Sequence, residues 1–303
     1  MKLVTYRKSV EDPARLGALV EGYVLDVERL GYGVGIDLPD RMLDLIAAGP
    51  AAWRVLGQLI EVGFDDWAVD AVIPFSNVTL LAPIPRPSKN VFGIGLNYVE
   101  HVEESARSLD TSIELPKEPV IFSKPPTAVI GPNEPIRHNA ALTQQLDWEV
   151  ELAAIIGTTA RGVSKENALD HVFGYSVMVD VSARDCRRAG QWIVSKGQDT
   201  FAPFGPCIVT ADEIGDPQDL DLWLTINGEE KQRSNTKHML FKVDHLISDI
   251  STSMTLEPGD IIATGTPSGV GAGRDPQEFM WPGDVLECGV EKIGMLRHPI
   301  VKA

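Results

Sequence analysis

The segment QLDWEVELA, residues 145–153, places Asp147, Glu149 and Glu151 at every second position. Alternate residues of a strand share a face and stand roughly 7 Å apart, so the three carboxylates fall on one strip. Trp148, Val150 and Leu152 take the other. Like charges in one row repel, and no Lys or Arg interrupts this one. A solvated acidic face is one reading. Burial is the other, and buried carboxylates need a metal or basic partners. Two of them on one strand face, joined by a third from elsewhere, make an all-oxygen site for a hard cation such as Mg²⁺ or Mn²⁺.

A third acid, Asp180, ends the apolar run of GYSVMVDVSARD. A buried strand there delivers its side chain to the rim of a core; an aspartate taken alone is more often a helix N-terminal or turn residue. Arg184, Arg187 and Arg188 follow, then Lys196 in VSKGQDTFAPFGP. Three carboxylates and one divalent cation leave a charge of about minus one, which such cations offset while holding an anionic substrate. In VFGIGLNYVEHVEES, Gly93 and Gly95 lack the third glycine and the βαβ context of a dinucleotide loop. His101 and Glu104 stand three apart. On a helix they share a face, close enough for the carboxylate to orient the imidazole, or they are simply two solvated side chains. TGTPSGVG is a turn-rich loop whose N–H groups and hydroxyls suit a carboxylate, or a plain hairpin connection.

These residues need elements to position them. Residues 1–78 read as a small α+β unit: KLVTY and GYVLDV as short strands, then LPDRMLDLIAAG and PAAWRVLGQLIEVG as helical pieces broken at Pro50. Pro83, Pro85 and Pro87 hold the junction extended. Residues 79–303 read as a β-dominated domain with helices at its edges, around SKENALDHV, ARDCRRAGQWIV and KVDHLISDISTSM. LDLWLTINGEEKQ is a hairpin turning at Asn227-Gly228.

Bulk properties limit the partners. The 303 residues carry a formal charge of -16, which argues against nucleic acid. The three cysteines have neither zinc spacing nor an even count, no apolar run approaches a membrane span, and the start lacks a signal-peptide core, so a reducing cytoplasm is the expected location.

The motifs GLNYVEHVEE, DWEVELAAIIG, HVFGYSVMVDVSARD, KGQDTFAPFGP and MTLEPGDIIATGTPSGVG, in this order, closely resemble the fumarylacetoacetate hydrolase family from about residue 82 to the end. The first unit resembles the variable leader domain of its bacterial members. The resemblance implies a mixed β-roll catalytic domain, usually in a homodimer, with Glu149, Glu151 and Asp180 binding Mg²⁺ or Mn²⁺. It implies a His101–Glu104 dyad, an active-site Lys196, a substrate-side Arg184, and Thr264, Gly265 and Thr266 as a carboxylate cradle. Asp147 falls behind the ligands or at the surface. Many members carry glutamine three residues after the motif's arginine; Arg187 stands there here, favouring a second substrate carboxylate or pointing away.

Such a site suits a 2-oxo acid, with the metal stabilising an enolate formed when a bond at C3 breaks. The expected reaction is hydrolysis of the C3–C4 bond of a 2,4-dioxo acid, with water activated by His101. Oxaloacetate decarboxylation is the alternative, followed by isomerase, hydratase or lyase chemistry on a dioic acid of aromatic catabolism. A non-catalytic metal-binding module is the reading of another class, but it predicts loss of His101, Glu104 or Lys196, and all three are present. The polar segment RSLDTSIELPKEP is expected to close as a lid over bound ligand.

Overall fold

The computed structural model describes residues 1–62, 70–101, 104 and 114–303. The two strands read near the start form as β1 (Lys2–Arg7) and β3 (Tyr23–Asp26), with β2 (Arg15–Val20) between them. The pattern alone does not mark β2, because Gly17 interrupts it. That glycine is required by packing: a Cβ there would lie 2.4 Å from Val24 Cγ1. Helix α1 (Val27–Tyr32) follows. The helices α2 (Met42–Ala48) and α3 (Pro50–Val62) part at Pro50, which opens the second, where no amide partner is lost. Strands β4 (Val72–Pro74) and β5 (Thr79–Leu81) complete this part.

The rest of the chain is a strand-rich α+β fold of mixed β-roll type. Its strands are β6 (Val91–Gly95), β7 (Val120–Lys124), β8 (Val129–Ile130), β9 (Ile136–His138), β10 (Leu146–Asp147), β11 (Val150–Ile156) and β12 (Val172–Val179). Then come β13 (Ser182–Ala183), β14 (Ala202–Thr210), β15 (Asp221–Ile226), β16 (Glu229–Asn235), β17 (Ile261–Ala263), β18 (Val285–Val290) and β19 (Gly294–Lys302).

Among the described residues the large sheet runs β4-β3-β2-β1-β14-β12-β11-β17-β6-β7, with β5 on β1 and β8 on β14. The first part of the chain therefore continues the sheet, through antiparallel pairing of Lys2 with Val209 and Leu3 with Ile208. A second sheet runs β16-β15-β18-β19-β9, and β10 pairs with β13. The β15–β16 hairpin turns at Asn227 and Gly228 with φ of 53° and 79°, the positive values a type I′ turn requires.

Strand β11 is central and buried on both faces. Leu152, Ala154 and Ile156 join the core shared with Leu222, Leu224 and Leu286 of the second sheet. Ala153 and Ile155 join the core that holds Leu3, Leu16 and Leu45. Every residue of β11 is buried, Glu151 included. Alternation along this strand thus selects between two interiors, not between core and solvent.

Two segments differ from the pattern. QLDWEVELA is not one strand, because the chain breaks between β10 and β11, at Trp148 and Glu149. ARDCRRAGQWIV is not one helix. It forms a 3₁₀ turn over Arg184–Cys186, a tight turn, and one helical turn over Ile193–Lys196.

Candidate active site

The break before β11 and the end of β12 bring three acids together. Antiparallel pairing sets Val150 against Val179, and one residue farther on Asp180 N–H donates to the Glu149 carbonyl at 2.8 Å. Glu149, Glu151 and Asp180 then offer carboxylate oxygens within 4.8 Å of one another, all buried. The solvated-face reading of this acidic strip does not hold.

Cations meet two of the three. Lys196 Nζ bridges Glu149 Oε2 at 2.7 Å and Asp180 Oδ2 at 2.6 Å. Arg184 Nη2 lies 2.6 Å from Glu149 Oε1, off the hydrogen-bonding direction. Burial pushes the Glu149 carboxyl up, but Lys196, Arg184 and His101 together outweigh it and hold the group below the usual range. For Asp180 burial prevails over Lys124 and Lys196, and its pKa is raised. Glu151 is raised furthest, by burial first and then by Asp180 and Glu149. Its Oε2 accepts from Gly265 N–H at 2.8 Å, and its buried Oε1 meets no donor among the described residues. A buried carboxylate oxygen without a partner, inside a set of oxygen donors, fits a hard divalent cation. Glu149, Glu151 and Asp180 are the residues that would hold it.

Asp147, from β10, faces elsewhere. It accepts from Arg184 Nε at 2.8 Å, Gly271 N–H at 2.7 Å and Ala272 N–H at 3.0 Å. It is fully buried, not on the surface, and it anchors Arg184 beside the three acids.

Residues 99–101 and 104 are helical, and the expected pair forms: His101 Nδ1 is 3.2 Å from Glu104 Oε2. Both side chains are buried. Glu104 also accepts from Gly269 N–H, at 3.0 and 3.1 Å to its two oxygens. With Nδ1 turned to the carboxylate, Nε2 is the nitrogen left for proton exchange. A narrow cleft of about 20 Å³ gathers His101, Glu149, Arg184, Arg187, Lys196 and Thr266 on its walls, with Trp192 beside them.

The threonine-glycine-threonine donors bind the protein itself. Thr264 Oγ1 donates to the Leu152 carbonyl at 2.8 Å, Thr266 Oγ1 to Val150 at 2.9 Å, and Gly265 N–H to Glu151. Contact of a substrate carboxylate with these particular donors would require their bonds to open, whereas the Thr266 backbone N–H takes part in none of them. Thr266 alone of the three lines the cleft. Gly265 has a φ of +98°, and a Cβ on it would meet Asn97 Cβ at 2.6 Å. Of the segment expected to act as a lid, residues 107–113 lie outside the described residues.

Lys124 was not marked by the sequence. At the end of β7 it is wholly buried, donates to Asp180 Oδ1 at 2.5 Å and also contacts the Lys196 carbonyl. Burial lowers its pKa. A lysine closing the apolar strand VIFSK just before two prolines was the available signal, and it is indistinguishable from a strand-end lysine in solvent.

Residues 90–301 match the family model described as fumarylacetoacetate (FAA) hydrolase C-terminal. A mitochondrial oxaloacetate tautomerase of Xenopus laevis is 38% identical over 306 residues, covering 99% of this chain and 90% of that protein. The solved structure of a fumarylacetoacetate hydrolase from Exiguobacterium antarcticum is 38% identical with a TM-score of 0.81, each chain covered in full, 100% and 100%. Maleylpyruvate hydrolase from Sphingobium sp. SYK-6, solved with manganese(II) and pyruvate, is 31% identical with a TM-score of 0.77, again over 100% of both chains. The match spans more than half the chain and includes every acid and base that meets in the cleft, so this chain belongs to the fumarylacetoacetate hydrolase family.

Proposed function

We propose that the cleft binds a small 2-oxo acid and moves a proton at its C3, catalysing keto–enol interconversion, with oxaloacetate as the leading substrate. The observation that carries this reading is one cleft lined by His101, its Nδ1 held by Glu104, together with Glu149 of the acid triad and Lys196. A divalent cation, when bound by Glu149, Glu151 and Asp180, supplies Lewis acidity toward the 2-oxo and carboxylate oxygens. His101 Nε2 takes the C3 proton, leaving the enolate, and delivers a proton to the enolate oxygen to give the enol, while Glu104 stabilises the imidazolium formed between the two transfers. Lys196 places positive charge where the enolate oxygen develops. Arg184, anchored by Asp147, favours the anionic substrate. The relative named for oxaloacetate tautomerisation supports the choice of substrate.

A second reading uses the same dyad on water. His101 would deprotonate a water that attacks the 4-oxo carbon of a 2,4-dioxo acid, cleaving C3–C4 and releasing pyruvate as its enol. The hydrolase solved with manganese and pyruvate favours it. Both readings are tested together in Mn²⁺ by NMR, following solvent deuterium into C3 of oxaloacetate and pyruvate release from acetylpyruvate. The expected result is rapid exchange, reduced by 10²- to 10⁴-fold in His101→Asn, the range for loss of a general base. Exchange no faster than in buffer, with pyruvate released from acetylpyruvate, would replace tautomerisation by hydrolysis. Inactivity on both would leave the metal-binding module.

A further inference from the structure

Arg187 and Trp192 face each other across a two-residue turn. Ala189 and Gly190 have φ of 46° and 78°, the pair of positive values that closes a tight hairpin. The backbones of Arg188 and Gln191 are bonded in both directions, at 3.3 and 2.8 Å. That pairing sets residues 187 and 192 opposite one another at the next position out. The guanidinium carbon of Arg187 accordingly sits 4.7 Å from the centre of the Trp192 ring. The ring is itself seated. It packs on Phe122 at 5.3 Å between centroids, and a Cβ on Gly95 would come within 2.5 Å of it. An aromatic face holds a guanidinium in place and leaves its donor edge open.

Arg187 shares the cleft with His101, Glu149 and Lys196. Arg184 is tied to Asp147 and Glu149, and the carboxylates of Glu149 and Asp180 already pair with Arg184, Lys196 and Lys124. Arg187 has no such tie among the described residues, and its buried Nε finds no acceptor. A guanidinium with a desolvated, unfilled donor at the wall of an anion-binding cleft lacks an anion.

We propose that Arg187, held against Trp192, binds the second carboxylate of the substrate, so that the cleft selects dianionic 2-oxo acids over monoanions of the same length. This rests on the 2-oxo acid reading above and narrows its substrate class. A carboxylate fills the fork bidentately, whereas a methyl group leaves the guanidinium desolvated and unpaired. Discrimination therefore comes from attraction and rejection together.

The test is calorimetric binding in Mn²⁺ of three probes: oxalate, 2-oxobutanoate and fresh oxaloacetate. The last two have equal length and differ only in a terminal methyl or carboxylate. Wild-type protein is expected to prefer oxaloacetate by on the order of 10- to 100-fold, as one charge-assisted pair provides. Arg187→Gln should abolish most of that ratio, and Arg187→Lys, which keeps the charge without the fork, should restore part of it. An unchanged ratio in Arg187→Gln, with oxalate still bound, overturns the role of Arg187 and leaves the 2-oxo acid reading standing. Failure of the wild-type protein to bind oxalate at all overturns that reading, and this proposal with it.

Discussion

Among the described residues Glu151 accepts one hydrogen bond, from Gly265, and its other oxygen meets no donor. Burial and the nearby Asp180 and Glu149 carboxylates disfavour its charge. The neighbouring acids are compensated by Lys124, Lys196 and Arg184. The conflict is thus concentrated on one side chain, and a bound cation would relieve it. Glu151→Gln should leave the metal-free protein as stable as wild type or more so, by about 1–2 kcal/mol, while Mn²⁺ no longer raises its Tm. Melting in chelator and then in Mn²⁺ measures both arms. A variant stabilised by Mn²⁺ as strongly as wild type would remove Glu151 from the cation site. Lys124 and Lys196 contribute at this scale too, because removal of either would strand Asp180 in the interior with less compensation.

At the scale of elements, one loop serves three acids. Its backbone N–H groups reach Glu151 from Gly265, Glu104 from Gly269, and Asp147 from Gly271 and Ala272. The glycines are matched to this task. Gly269 has a φ of +101°, and a Cβ on it would lie 2.1 Å from the Lys231 carbonyl oxygen. Gly273, in the 3₁₀ turn Gly271–Gly273, has its missing Cβ position 2.2 Å from the Glu104 side chain. Gly273→Ala should therefore push Glu104 off His101 without straining the backbone. We expect kcat for C3 proton exchange to fall on the order of 10- to 100-fold with KM little changed, as misplacement of a catalytic pair does. Steady-state kinetics decides this; an unchanged kcat would mean that the position of Glu104 is immaterial to the reaction.

The whole molecule is tied together by its sheets. Strand β1 pairs with β14, and Leu3, Leu16 and Leu45 share a core with Ala153, Ile155 and Phe173. We expect urea to unfold the chain in a single transition. The stability it reports should depend on pH through His298 of β19, whose Nδ1 faces the Glu134 carbonyl at 2.8 Å. Burial pushes this imidazole down from 6.5 to about 4. The unfolded chain then takes up a proton below its own value near 6.5 while the folded chain does not. Stability is full above that value and is lost as pH falls toward the folded value, by about 2 kcal/mol between pH 7 and pH 5. Urea titrations of wild type and His298→Gln at the two pH values test this, and an equal slope in the variant would assign the dependence to other groups.

Much of the candidate site was legible in the residues alone. The spacing of Asp147, Glu149 and Glu151, the i,i+3 pair His101–Glu104 and the order of the motifs depend on neighbours in the chain, where periodicity carries the information. The Asn227-Gly228 hairpin and the start of α3 at Pro50 were legible for the same reason, since turn and helix-start preferences are local. Other features arise from contacts between distant segments. The burial of both faces of β11, the turning of Asp147 toward Arg184, the recruitment of Lys124, and the use of the threonine-glycine-threonine donors on the protein's own carbonyls and acids all depend on which strands become neighbours. Sheet pairing joins residues far apart in the chain, so no local pattern encodes it. Arg187 shows both sides: its charge and position were visible, but only the turn that sets it against Trp192 aims it into the cleft.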